Sequence, residues 1–201
     1  MRYVSIDIET TGLDPDKCQI IELAAVIDDL VTPFEELPKF RYLVKEPTYR
    51  GEPYAFSMHA ALFREIATSI DPSCHEYGSD VTKVARAENL LTTSLSDWLK
   101  SHGVTSNLFL AAGKNFAGFD ARFMRRLPAA HMFTWEHRVL DPGPLYMLPT
   151  DTIVPSTNEC ITRAEMRGML TEDIPGDPHT ALYDALMVCA LIRNHFNDST
   201  Q

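Results

Sequence analysis

The segment YVSIDIE, Tyr3 to Glu9, constrains the chain most. Val4, Ile6 and Ile8 alternate with Ser5, Asp7 and Glu9. Alternation with a period of two is the mark of a strand with one face in a core. The opposite face presents two carboxylates side by side, because residues i and i+2 of a strand point the same way. The run then breaks into TTGLDP, a turn or loop. A fold that accepts this strand must also supply something that holds two acids together beside apolar packing.

The remaining segments predict a mixed sheet with packed helices. CQIIELAAVID fits a buried second strand, although Glu22 inside it needs a partner, and FRYLVKE fits a third, the three forming an antiparallel meander. SMHAALFREIA predicts a helix with Ser57 as its N-cap, and VTKVARAENLLTTSLSDWLKSHG a long amphipathic helix ending at Gly103. Val84, Leu91, Leu95, Trp98 and Leu99 would form its apolar face. NLFLAAG and HRVLDP predict strands; AGFDARFMRRL, NECITRAEMRGML and HTALYDALMVCALIRNHF predict helices. The stretch from Pro47 to Asp80 is weakly patterned, and Pro142 to Pro155, with four prolines, reads as loop. The resulting order, βββ-α-α-β-α-β-α-α, indicates an α/β fold, and the 201 residues read as a single domain, 1–201.

A net charge of −10 argues against a protein that grips long nucleic acid by its phosphates. It favours a small ligand, a short stretch of polymer, or contact through metal ions. The four cysteines, Cys18, Cys74, Cys160 and Cys189, are widely spaced without C-x-x-C, which predicts free thiols in a reducing compartment. The first residues enter the strand without an apolar leader, and no run approaches the ~20 apolar residues of a membrane span, so a cytoplasmic chain with no membrane partner is expected.

Two further acids stand out. Asp120 follows Phe116 and Phe119 at a predicted helix start, where the helix dipole favours an anion. Asp184 lies inside an apolar helix among Ala181, Leu182, Ala185, Leu186, Val188 and Leu191, a costly place for a carboxylate with nothing bound to it. His179 precedes the same helix. Hard divalent cations, Mg²⁺ or Mn²⁺, would resolve the repulsion between Asp7 and Glu9, since they take several oxygen ligands.

Taken together, the motifs DIETTGLDP, NFAGFD and HTALYDA resemble those of the DEDDh 3′→5′ exonucleases, which include proofreading polymerase subunits, RNase T and the oligoribonucleases. The resemblance runs from residue 3 to about 195. It implies an RNase H-like fold, with three antiparallel strands and then parallel ones flanked by helices, and two divalent ions, Mg²⁺ or Mn²⁺, held by Asp7, Glu9, Asp120 and Asp184. Asp7 would bridge the ions, Glu9 and Asp184 would complete the site that activates water, and Asp120 would hold the second ion through water. His179, spaced H-x4-D from Asp184, would be the general base, as suits an imidazole's ordinary pKa of about 6.5.

The same resemblance places a 3′ end against Glu9, Thr10, Thr11, Gly12 and Leu13. Leu13 would be a wedge against the last base, Asn115 and Phe116 would line its pocket, and Met58 and His59 would border the groove. His179 would also contact the substrate. Arg122, Arg125 and Arg126, or Arg163 and Arg167, are candidates to meet phosphates. The implied partners are single-stranded DNA or RNA 3′ ends, with a second copy of the chain or a polymerase beside it.

Two other readings fit less of the chain. A phosphatase opening D-x-D-x-T would need a second Asp where Glu9 stands and leaves His179 and Asp120 unexplained. A non-catalytic nucleic-acid-binding or scaffold domain on the same fold would be expected to have lost metal ligands, yet all five positions are filled.

Overall fold

The computed structural model describes residues 1–69, 81–86, 88–105, 108–166 and 174–198. In chain order it has β1 (Tyr3–Thr10), β2 (Ile20–Asp28), β3 (Lys39–Val44), α1 (Pro53–Met58), α2 (Ala60–Thr68), β4 (Val81–Arg86), α3 (Leu91–Ser101), β5 (Leu108–Phe109), β6 (Ala111–Ala112), α4 (Asp120–Met124), β7 (Thr134–Trp135), α5 (Pro142–Leu145), α6 (Thr157–Met166) and α7 (Ala181–Asp198).

Five strands form one sheet in the order β4-β3-β2-β1-β6. The pairs β1–β2 and β2–β3 are antiparallel; β1–β6 and β3–β4 are parallel. The expected mixed sheet, three antiparallel strands joined by parallel ones, is therefore present. A two-stranded parallel sheet, β5–β7, lies beside it, and Leu140 extends the parallel side through a bridge to Ala112.

Both faces of the sheet are covered, so β2 is buried along its whole length. Val4, Ile6 and Ile8 pack with Leu91, Leu95, Trp98, Phe123 and Met124 on one side. Tyr3, Ala24 and Val26 pack with Ala181, Ala185, Val188 and Ile192 of α7 on the other. The alternation of β1 thus divides two cores, and its polar face meets α7: Ser5 Oγ donates to the Ala185 carbonyl at 2.8 Å.

Near its C-terminal end α7 is fastened by a buried ionic cluster. Arg193 donates to both oxygens of Asp28 at 2.8 Å and to the Thr32 carbonyl at 2.7 Å, while the Tyr3 hydroxyl donates to Asp28 at 2.7 Å. Asp28→Ala strands the buried guanidinium of Arg193, so it is expected to cost about 3–5 kcal/mol. A lower denaturant midpoint at unchanged slope would register this.

Five local expectations are corrected. HRVLDP forms no strand beyond the isolated bridge of Leu140 to Ala112, and β7 lies before it. Residues 81–86 form an edge strand, so the helix predicted from Val81 begins only at Leu91, and Val84 belongs to β4. The predicted helix around His59 is two helices meeting at that residue, and Ser57 lies inside α1, whose N-cap is Glu52. NLFLAAG divides into two short strands in different sheets, with 106–107 outside the described residues. The proline-rich stretch contains a short helix, α5, entered by Pro142 at its first position and capped by the Asp141 side chain on the Gly143 amide. The end of the weakly patterned stretch, 70–80, with Cys74, and Arg167 lie outside the described residues. Cys18, Cys160 and Cys189 are free thiols, as expected. Among the described residues no helix is long and apolar enough to cross a membrane.

Candidate active site

Strand β1 ends where α7 begins. Asp7 and Glu9 project from its polar face, and Asp184, one turn into α7, meets them. One carboxylate oxygen from each lies within 4.8 Å of the other two. Asp120, the first residue of α4, approaches from the opposite layer and is almost fully buried. Its Oδ1 accepts the Ile8 amide at 3.1 Å, which seats it against the strand between the two acids.

The electrostatics follow from crowding four acids. Burial lifts the Asp7 carboxyl well above its ordinary range, with Asp120, Glu9, Asp184 and Glu22 adding to the effect. Glu9 is pushed up to about 9 by burial, then by Asp184, Glu22 and Asp120. Asp120 rises to about 7 through burial, against the pull of backbone amides. Burial also raises Asp184, while nearby His179 opposes the rise. A set of hard oxygen donors whose negative charges resist one another suits a divalent cation such as Mg²⁺ or Mn²⁺.

His179 is exposed in the turn before α7 and adopts a left-handed backbone, φ 66°. Thr180 Oγ1 accepts the Tyr183 amide and starts the helix. His59 lies on the other flank: it is buried, with Nε2 3.4 Å from Glu9 Oε2. Burial lowers its basicity and proximity to His179 lowers it further, which keeps the ring neutral around pH 7. The break between α1 and α2 delivers this ring to Glu9, and helical periodicity gave no sign of it.

The loop after β1 is knitted to the segment before α1. Thr11 is buried, its hydroxyl donating to the Arg50 carbonyl at 2.6 Å and its carbonyl accepting the Glu52 amide at 2.7 Å. Thr10 Oγ1 donates to the Gly12 carbonyl at 2.7 Å. Gly12 has φ +152°, and a Cβ there would lie 2.6 Å from Cys18 Sγ and 2.8 Å from Glu52. Gly12→Ala is therefore expected to cost about 1–3 kcal/mol, seen as a lower melting temperature.

Beyond this turn Leu13 is 69 % exposed, and Met58 is 51 % exposed on α1. Tyr54, one helical turn before Met58, is 77 % exposed on the same side of α1. It was not singled out from sequence because an isolated tyrosine carries no pattern. Asn115 is exposed at φ 58°, its amide held by Asp141 Oδ2 at 2.9 Å. Phe116 is fully buried, edge-on to Trp135 at 5.2 Å, so it supports the site from within the core and offers no surface to a ligand. Among the arginines, Arg163 is engaged by Asp151 and the Tyr146 carbonyl, Arg125 lies over Trp135, Arg126 pairs with Asp16, and Arg122 is exposed.

No family model matches the sequence, and no curated protein matches it. Solved structures do. One, described as Exonuclease X in complex with 5′ overhanging duplex DNA, aligns with TM-score 0.53 and 20 % identity over 99 % of this chain and 93 % of the other. The chain shares the fold of Exonuclease X. The RNase H-like architecture expected from the motifs is thereby established, independently of the motif residues.

Proposed function

We propose that the chain is a divalent-metal-dependent 3′→5′ exonuclease that hydrolyses phosphodiester bonds from the 3′ end of a single strand and releases nucleoside 5′-monophosphates. The convergence of Asp7, Glu9 and Asp184 within 4.8 Å, with Asp120 held on the Ile8 amide between the first two, carries the reading. The likeness to Exonuclease X, solved with 5′ overhanging duplex DNA, supports a nucleic acid as partner.

Asp7, Glu9 and Asp184 would hold one Mg²⁺ or Mn²⁺, and Asp7 with Asp120 a second. Such a pair of ions supplies an activated water and charge relief on the leaving oxygen. His179 would take the proton from the attacking water; its exposed place before α7, near Asp184, lets the ring reach solvent and substrate. Thr10, Thr11 and Gly12 would seat the terminal sugar beside Glu9. Leu13 and Met58 would contact the last base, and Asn115 would border the pocket. The net charge of −10 suits engagement of only a few nucleotides.

A panel of single-stranded DNA, single-stranded RNA, 5′-overhanging duplex and dinucleotides, each with Mg²⁺ or Mn²⁺, tests the reading. Release of 5′-mononucleotides is expected from at least one class. Binding without turnover on every substrate would instead support a scaffold domain.

A further inference from the structure

Glu22 lies outside the five motif residues, yet it is completely buried, directly across the β1–β2 ladder from Glu9. Both of its oxygens are engaged. Oε1 accepts from Arg41 Nε, and Oε2 accepts the Ala181 amide at 3.2 Å. Arg41 is itself held by two 2.8 Å bonds to Glu65. Ala181 is the first residue of α7, where backbone amides have no partner within the helix. Glu22 thus caps α7 from a different layer, and the positive end of the helix favours its charge.

The other anchor of α7 is Arg193 on Asp28, also in β2. Glu22 to Asp28 spans about 20 Å of strand, and Ala181 to Arg193 spans about 18 Å of helix. The two attachment points therefore match in length, and together they fix where α7 sits along β2. Asp184 lies three residues after the anchored amide and His179 two before it.

We propose that Glu22 is a positioning residue: its bond to Ala181 sets the height of α7, and so the register of Asp184 and His179 against Asp7 and Glu9. Its consequence for turnover rests on the nuclease reading; the positioning itself does not.

Two variants break the same bond from opposite sides. Glu22→Met removes the acceptor at similar volume, and Ala181→Pro removes the donor at a first-turn position that accepts proline. Amide exchange at Leu182 and Tyr183, Mn²⁺ affinity, and kcat and KM are compared with the wild type. Each variant is expected to speed exchange in that turn, weaken Mn²⁺ by about 10–100-fold, and lower kcat with KM little changed. The double variant should be no worse than the worse single one.

Wild-type exchange and Mn²⁺ affinity in either folded variant would overturn the proposal, as would additive losses. If Glu22→Met does not fold, Ala181→Pro alone decides by the same criteria. A wild type that neither binds Mn²⁺ nor hydrolyses, yet loses first-turn protection in the variants, refutes the nuclease reading and leaves the positioning role standing.

Discussion

Asp7→Asn is expected to reduce turnover by about 10²–10³-fold, the scale seen when one charge-stabilising group is removed from an active site. The same substitution is expected to raise the melting temperature of the metal-free protein. Asp7 is partly buried beside three other site carboxylates, and each of them disfavours its charge. An amide of the same shape removes that repulsion without opening a cavity. Lower activity with higher apo stability separates a functional carboxylate from a structural one, whose loss would lower both. The pairing is checked by steady-state kinetics and by thermal melts in chelator at pH 8.

The second large effect concerns pH. Glu9 titrates at about 9 in the folded chain against an ordinary 4.5, Asp120 at about 7 against 3.8, and Asp7 and Asp184 are raised as well. A carboxyl with a raised folded pKa binds more protons folded than unfolded, so stability falls as pH rises between the two values. With respect to these groups the metal-free protein should therefore be most stable below about pH 4, where they are protonated in both states, and should lose stability progressively as pH rises towards 9. At about 1.4 kcal/mol per tenfold change in proton affinity, the lift on Glu9 alone corresponds to several kcal/mol, and coupling among the four acids makes their contributions non-additive. Mn²⁺ or Mg²⁺ should restore the loss, with the largest gain at the alkaline end, since binding to the folded state adds stability. Melting curves at pH 5, 7 and 9, with chelator and with metal, measure this. A metal-free melting temperature that rises over that range would show that the carboxylates are not crowded as described.

The parts of the site that the sequence made legible are those set by local geometry. Asp7 and Glu9 share a side because the strand period is two, and Asp184 was conspicuous because apolar residues surround it. The second strand read as buried because its apolar run is continuous, and Glu22 within it demanded a partner. What stayed hidden depends on residues far apart in the chain. Arg41 and Ala181 become partners of Glu22, and Glu65 a partner of Arg41, only after β2, β3, α2 and α7 pack. His59 reaches Glu9 only because two helices break there, although the spacing on both sides fits one continuous helix. The strand at 81–86 was absorbed into a helix for a similar reason: Val84 falls in helical phase with Leu91, and its pairing with β3 carries no local signature. Phe116, inside the motif NFAGFD, was assigned to the nucleotide pocket by resemblance alone; its side chain is fully buried against Trp135, the commoner fate of such a phenylalanine.

A 5′-labelled single strand with a free or a blocked 3′ end, incubated with Mn²⁺, tests the exonuclease assignment most directly. A ladder that shortens by one nucleotide at a time from the free 3′ end is expected. That assignment requires no shortening of the blocked strand, and none with Asp7→Asn. Internal cleavage, or wild-type activity in Asp7→Asn, would contradict it.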